Sequence, residues 1–336
     1  MFSTHGISFL RRFRLPIIIL LTLVLAAGTV GIAERRIESI AYVSPEYDRI
    51  NLLPILVKKS YSEEDYKTLY LQTGLGQPAI DDIRRETDTE EYPERILSFQ
   101  DNFFASADYV CEHRLIFTSQ EFLIDEEGDY RNGFELAPLK DGDILITLSS
   151  HTFGWRNGHA GIVTNAKTGQ TLEAITIGVS SAFQQAKDWL GSPTLIVLRL
   201  KEEVNAGHAS IASQAAQLAK DLLIDVPYSL TVGLISPKYP NSGELSGTHC
   251  AHLVWLAYRA FGVDLDSDGG RLVTVKDIAN SPLLEVVQVY GVNPEDIWPR
   301  FSAGVPDYPP IPGGFLHQQI TPYRSRKQRC QRREHH

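Results

Sequence analysis

One stretch constrains this chain more than any other. From Thr248 to Phe261 it reads Thr-His-Cys-Ala-His-Leu-Val-Trp-Leu-Ala-Tyr-Arg-Ala-Phe. Leu253, Val254, Leu256, Ala257, Ala260 and Phe261 recur at helical spacing, and Gly262 ends the run. A helix this apolar has to be buried, so other elements of the chain must cover it. Polar Thr248 and His249 come first, which places Cys250 at or near the first helical turn. Unpaired backbone N–H groups and the positive end of the helix dipole converge there, and both stabilise a thiolate. Two readings of Cys250 stand at this point: a nucleophile, and a small packed thiol, since free Cys is among the most buried residue types.

The chain upstream carries a second pattern. Lys140-Asp141-Gly142 predicts a turn and Asp143 to Leu148 a strand, followed by a polar, glycine-bearing loop. His159 to Thr164 and Thr171 to Thr176 are short apolar runs around the turn Asn165-Ala166-Lys167-Thr168-Gly169, which predicts a hairpin. Folding it about that turn sets His159 and Glu173 roughly opposite each other, with Cβ atoms about 4.5–5.5 Å apart if in register. A carboxylate beside an imidazole fixes its tautomer and steadies the imidazolium. Further strands are expected at Thr194–Leu200 and Leu283–Tyr290, and an amphipathic helix at His208–Leu223 with Ile211, Ala215, Leu218, Ala219 and Leu222 on one stripe.

The segments outside 139–291 read differently. Arg11, Arg12 and Arg14 precede an apolar run from Leu15 to Ala33, the pattern of an export signal or a membrane anchor. Residues 1–33 are therefore expected to direct the chain out of the cytoplasm, either cleaved or retained. From Glu34 to about Leu136 the chain is expected to be helical and acidic. Ser62 caps a helix with Glu63, Glu64 and Asp65 in its first turn, and Pro78 and Pro93 open two more. Cys111 and His113, a lone pair two apart, are read as structural, and the role of this helical region is left open. The tail from 292 to 336 is rich in Pro and Gly and ends in six positive residues between Arg324 and Arg333. These six leave the rest of the chain at about −15 within a total of −9, which argues against general nucleic-acid binding. Cys111, Cys250 and Cys330 lie far apart, without disulfide-framework or zinc spacing.

Taken in order, Gly142-Asp143-Ile144, Gly158-His159-Ala160-Gly161-Ile162-Val163, Glu173-Ala174, Pro227-Tyr228 and Cys250-Ala251-His252-Leu253-Val254-Trp255 resemble the circularly permuted NlpC-type, papain-like cysteine hydrolases (YiiX/YebB/YycO-like). In this branch the histidine-bearing strands precede the cysteine helix. The resemblance covers residues 139 to 291. It implies an α+β, papain-like, circularly permuted domain, in which an antiparallel sheet packs against the cysteine helix, with an N-terminal helical region. Carried over residue by residue, it implies that Cys250 is the nucleophile, His159 the general base and Glu173 the residue that orients the base. Tyr228 would help shape an oxyanion site together with the backbone N–H of Cys250, and Asp143 would cap a turn. Ala251-His252 departs from the family's usual Ser-Glu or Ser-Gln after the cysteine, which puts polar contacts near the nucleophile in question.

Three competing assignments remain at this stage. His249 and His252 flank Cys250 and rival His159 as base, although positions i−1 and i+2 on a helix are expected to point away from it. Cys250, His252 and His159 could bind a metal, without recognised spacing. Asp264-Leu265-Asp266-Ser267-Asp268-Gly269 matches the first half of an EF-hand loop, but Val275 stands where the bidentate Glu belongs, so a polar turn is preferred over calcium. The expected function is an exported cysteine hydrolase, without cofactor, that cleaves an amide in cell-wall peptide. Lipid-directed acyl chemistry, which relatives similar to lecithin:retinol acyltransferase perform, is the alternative, and a non-catalytic binding module is the third reading. The expected partner is a peptide or amphipathic small substrate, with membrane anchoring by the N-terminal segment, no nucleic acid and no obligate protein partner.

Overall fold

The computed structural model describes residues 15–29, 32, 44–115, 118–152, 155–205, 210–239 and 245–295. The basic tail cluster, Cys330 and the N-terminal arginines lie outside the described residues. Residues 15–29 are helical (α1), and their large apolar side chains are each half exposed or more. Among the described residues, no helix is long and apolar enough to cross a membrane.

Four helices follow: α2 (Leu53–Leu56), α3 (Glu63–Thr73), α4 (Gln77–Glu86) and α5 (Tyr92–Phe104). Ser62 and Asp65 form a reciprocal capping box at the start of α3, and Gly74, with φ of 71°, ends it. Pro78 and Pro93 sit in the first turns of α4 and α5. The expectation of helix as far as Leu136 fails after α5. β1 (Asp108–Leu115) and β2 (Thr118–Ile124) form a hairpin instead. The reason is a period of two, with Ser119, Glu121 and Leu123 buried and their neighbours half-buried, a pattern that suits a strand and no helix.

β1 and β2 belong to a four-stranded sheet of order β1-β2-β4-β5, completed by β4 (Ser150–Thr152) and β5 (Trp155–Arg156). The larger sheet is antiparallel, of order β10-β9-β3-β6-β7-β8. Its strands are β3 (Ile144–Thr147), β6 (His159–Asn165), β7 (Gln170–Glu173), β8 (Ala182–Gln185), β9 (Leu195–Leu200) and β10 (Leu284–Tyr290). The fold is thus α+β with two antiparallel sheets and several helices.

Alternation along the strands of the larger sheet divides its side chains between two cores. Ile144, Ile146, Ala160, Ile162, Ile196 and Leu198 pack with α7 (Ile211–Leu222), which follows the short α6 (Glu202–Asn205), and with α8 (Cys250–Arg259). Leu145, Val163, Leu195 and Val197 pack in the second core with residues of α3, α4 and α5, including Leu69, Ile80 and Phe99. The N-terminal helices therefore cover the back of the sheet, and α8 lies on the other face, buried at nine of its ten residues. Arg199 on β9 ties the layers together. It grips Asp143 with Nε and Nη2 at 2.8 and 2.7 Å and Asp82 of α4 with Nη1 at 2.6 Å. Asp143 also accepts the Lys140 N–H at 2.7 Å, the turn cap expected of it.

Candidate active site

Cys250 is the first residue of α8, and His159 and Glu173 are the end residues of β6 and β7 that face the same pocket. The hairpin forms about the predicted turn, but its register differs from expectation. A bulge between Val163 and Asn165 shifts the pairing, so Glu173 stands opposite Gly161 and diagonal to His159. The diagonal is bridged because Gly161 has no side chain. A Cβ there would lie 2.9 Å from Glu173 Cγ and 3.1 Å from Trp189 Cζ2. Gly158 serves the same motif differently, with φ of 70° and Thr147 O only 2.6 Å from where a Cβ would be.

The His159 ring is held on one edge and one face. Its Nε2 lies 2.8 Å from Glu173 Oε2, and it stacks on Trp189 with ring centroids 5.3 Å apart and planes at 19°. A carboxylate only accepts, so Nε2 carries the proton and Nδ1 is left for Cys250. The other oxygen of Glu173 accepts from Thr171 Oγ1 at 2.6 Å and from Trp189 Nε1 at 2.9 Å. Glu173 is 5% exposed, and every lone-pair direction it uses is committed to a donor.

These contacts set the charges. Burial alone would push the Cys250 thiol up, but the neighbouring imidazoles, His159 first and then His249, outweigh it and bring it down to about 5. Burial alone would push His159 down. Its hydrogen bonds to Cys250 and Glu173, with their charges, outweigh that and raise it to about 10. Glu173 is held below the usual carboxylate range, because His159, Thr171 and Trp189 together outweigh its burial. All three shifts run toward a thiolate–imidazolium pair backed by a carboxylate.

The two flanking histidines separate. His252 Nε2 lies 2.9 Å from Lys238 O, a carbonyl that only accepts, so this nitrogen bears the proton. Its Nδ1 lies 3.0 Å from Thr248 Oγ1. Burial, then the charge of His249, pushes this imidazole down to about 3, so it is neutral, fully engaged, and neither a base nor a metal ligand. His249 is not on the helix but is its N-cap, with extended backbone (φ −130°, ψ 172°), and its Nδ1 accepts the His252 backbone N–H at 3.4 Å.

Tyr228 lines the pocket with Cys250, and burial together with the thiolate charge raises its hydroxyl well above the ordinary value. Its segment is pinned to the approach to α8 by Thr248 N–H to Pro227 O at 2.9 Å and Ser229 N–H to Thr248 O at 2.8 Å.

The opposite wall of the pocket, a cavity of about 510 Å³, comes from the four-stranded sheet, which sequence reasoning missed. His113, Ser119, His151 and Arg156 stand directly opposite one another across its four strands. Glu121 grips Arg156 through both oxygens at 2.6 and 2.9 Å and lies 3.2 Å from His151 Nε2. Glu121, His151 and Ser119 are buried, and the last two line the pocket. Ile175, Ile177 and Leu230 also line the pocket but are exposed, which gives its mouth an apolar rim. Trp189 and the small sheet carried no motif. The one available signal was the alternation of Ser119, Glu121 and Leu123.

In the acidic loop, the carboxylates that converge are not the three the EF-hand match names, Asp264, Asp266 and Asp268. Asp264 is occupied by Trp255 Nε1 at 2.8 Å and by the Asp266 N–H at 3.1 Å. The carboxylates that converge are Asp266, Asp268 and, from α9 (Val275–Ala279), Asp277, with oxygens within 4.8 Å of one another. Lys238 already neutralises Asp266 there, and Asp277 caps α9 through Thr274.

Comparison of the chain with protein-family models, with curated proteins and with solved structures finds no match.

Proposed function

We propose that this chain is a cysteine hydrolase of the papain-like, circularly permuted type, cleaving an amide bond through an acyl-enzyme. One observation carries the reading: Cys250 opens a buried helix and lines one pocket with the imidazole of His159, whose Nε2 is held by Glu173. The thiolate sulfur attacks the carbonyl carbon, and the carbonyl π electrons move to oxygen. As the first helical residue, Cys250 has a backbone N–H without an intrahelical acceptor, and this N–H and Tyr228 serve the oxyanion. Collapse breaks the C–N bond while His159 Nδ1 protonates the departing amine. Neutral His159 then takes a proton from water, the hydroxide attacks the thioester, and the acid leaves with Cys250 restored as thiolate.

The substrate class we infer is an amide in cell-wall peptide, outside the cytoplasm. The basic-then-apolar N-terminal segment supports the location, and the hydroxyl, amide and imidazole groups of the facing wall suit a peptide backbone. A second reading, lipid-directed acyl chemistry, is favoured by the exposed rim of Ile175, Ile177 and Leu230. An electrophilic acyl or peptide probe tests the enzyme. Selective labelling of Cys250 that drops in His159→Ala is expected, and labelling that survives the substitution undiminished would sink the dyad. Peptidoglycan fragments and phospholipids assayed side by side, with Cys250→Ala as control, separate the two substrate classes. Release of neither product favours the binding module.

A further inference from the structure

Two stretches beside the active site carry no charge. Ala174 to Ala186 and Val226 to Pro237 hold no Asp, Glu, Lys or Arg, in a chain that is 22% charged. The first follows Glu173 and runs through β8, and the second carries Tyr228. Among the described residues after 32, thirteen large apolar side chains are exposed, and seven of them lie in these two runs. The runs are held side by side. The Tyr228 N–H donates to Val179 O at 3.2 Å, and the Ser181 N–H to Val226 O at 2.8 Å. Ile175 and Ile177 from one run and Leu230 from the other line the pocket that holds Cys250.

Both tips are built to leave water. At Gly178 a Cβ would meet nothing within 4 Å, so the first tip stands in open space. In the second, Thr231 O accepts the N–H groups of Leu234, Ile235 and Ser236 at 3.0, 2.8 and 2.9 Å. Thr231 Oγ1 lies 2.9 Å from Ser229 Oγ and 3.0 Å from Ser236 Oγ. These polar groups are matched within the turn, while Ile235 is 84% exposed beside them. A segment satisfied in this way enters an apolar medium without stranding a donor or acceptor.

We propose that the two uncharged runs are a membrane-docking surface, which sets the mouth of the Cys250 pocket against lipid. Exposed apolar patches mark interaction surfaces, and two features select lipid over a protein partner. A protein interface is laced with hydrogen bonds, whereas the hydroxyls and amides of the second turn are spent on one another. The same chain also carries α1, an exposed apolar helix expected to bring it to a bilayer, and membrane attachment by one weak element is strengthened by a second. Docking itself is independent of catalysis. Its consequence for the substrate rests on the hydrolase reading: the scissile amide or ester arrives on a molecule held in the bilayer.

The test uses the full chain on phosphatidylcholine vesicles whose acyl chains carry bromine, a quencher of indole emission. Ile177→Trp and Ile235→Trp report from the two runs, and Val57→Trp from an exposed position after α2, in the layer behind the sheet. Residues 15–29 would tether all three variants alike, so only the difference between them reports orientation. At 177 and 235 the added indole would sit about 5–10 Å into the headgroup and acyl boundary, so its emission is expected to be lost there and kept at 57. Any other pattern overturns the docking surface, and loss at none of the three leaves the patch to a protein partner. Should a variant not fold, a diazirine carried by the lipid maps the wild type by mass spectrometry. Adducts are expected in both 174–186 and 226–237, and their absence from either run overturns the proposal. Cys250→Ala is expected to dock as the wild type does. Docking by a chain whose Cys250 no acyl probe labels sinks the hydrolase and leaves the surface standing. Labelling without docking does the reverse.

Discussion

Gly161 stands directly across the β6–β7 ladder from Glu173, and the side chain Gly161 lacks is the space through which Glu173 reaches His159. A directly opposed pair at 159 and 173 would need no such space. The diagonal arrangement does, and it leaves the second carboxylate oxygen free for Thr171 and Trp189.

Gly161→Ala is therefore expected to displace Glu173 and Trp189 together, since the new Cβ would lie 2.9 and 3.1 Å from their side chains. Thermal or urea unfolding should show a loss of about 1–3 kcal/mol from overpacking. Turnover should fall further than stability alone explains, with labelling of Cys250 slowed in the folded fraction. Unchanged labelling would show that Glu173 does not orient the base.

Glu173→Gln removes the charge while keeping the shape. Turnover is expected to fall by about 10²-fold or more, the range general acid–base groups contribute. The wild-type profile should be bell-shaped, active where Cys250 is deprotonated and His159 protonated, between limbs near about 5 and about 10. Glu173 raises His159, so its loss moves the alkaline limb to lower pH. An alkaline limb that stays in place would remove Glu173 from the mechanism.

His252→Ala should behave as a fold variant and not as a base variant. It strands Lys238 O and leaves Thr248 Oγ1 with only His249 O, at 3.3 Å. The expected cost is about 2–4 kcal/mol in chemical denaturation, from lost packing and orphaned polar groups. The pH midpoint of Cys250 alkylation should not move in the folded fraction. A large rise in that midpoint would reopen His252 as a partner of the thiol.

Glu121→Gln probes the facing wall. Glu121 is buried and held below its usual range, since hydrogen bonds with His151 and Arg156 outweigh its burial. Breaking a buried pair on one side leaves Arg156 uncompensated, so a loss of about 3–5 kcal/mol is expected by denaturant unfolding. A variant as stable as the wild type would mean that solvent reaches this site and that the wall is not closed.

Much of the site was legible in the sequence because the signals are local. Cys250 opens a helix whose apolar spacing runs from Leu253 to Phe261, and His159 and Glu173 flank a hairpin announced by its own turn. The half-buried strands β1 and β2 were not legible. Their inward positions include Ser119 and Glu121, so the alternation is one of burial and not of hydrophobicity. Trp189 was missed for a similar reason, since its indole N–H matters only once β7 lies beside it.

By itself the sequence determined the helix that Cys250 opens, the hairpin that carries His159 and Glu173, and the Gly142-Asp143 turn. These depend on spacing and on backbone preferences within a few residues. Tertiary structure alone decided the register that sets Glu173 against Gly161, because a one-residue bulge is invisible in an apolar run. It also separated the two flanking histidines. His252 was engaged by Lys238 O, fourteen residues away, and His249 caps the helix instead of joining it. Each nitrogen's role followed from the partner that packing brought to it.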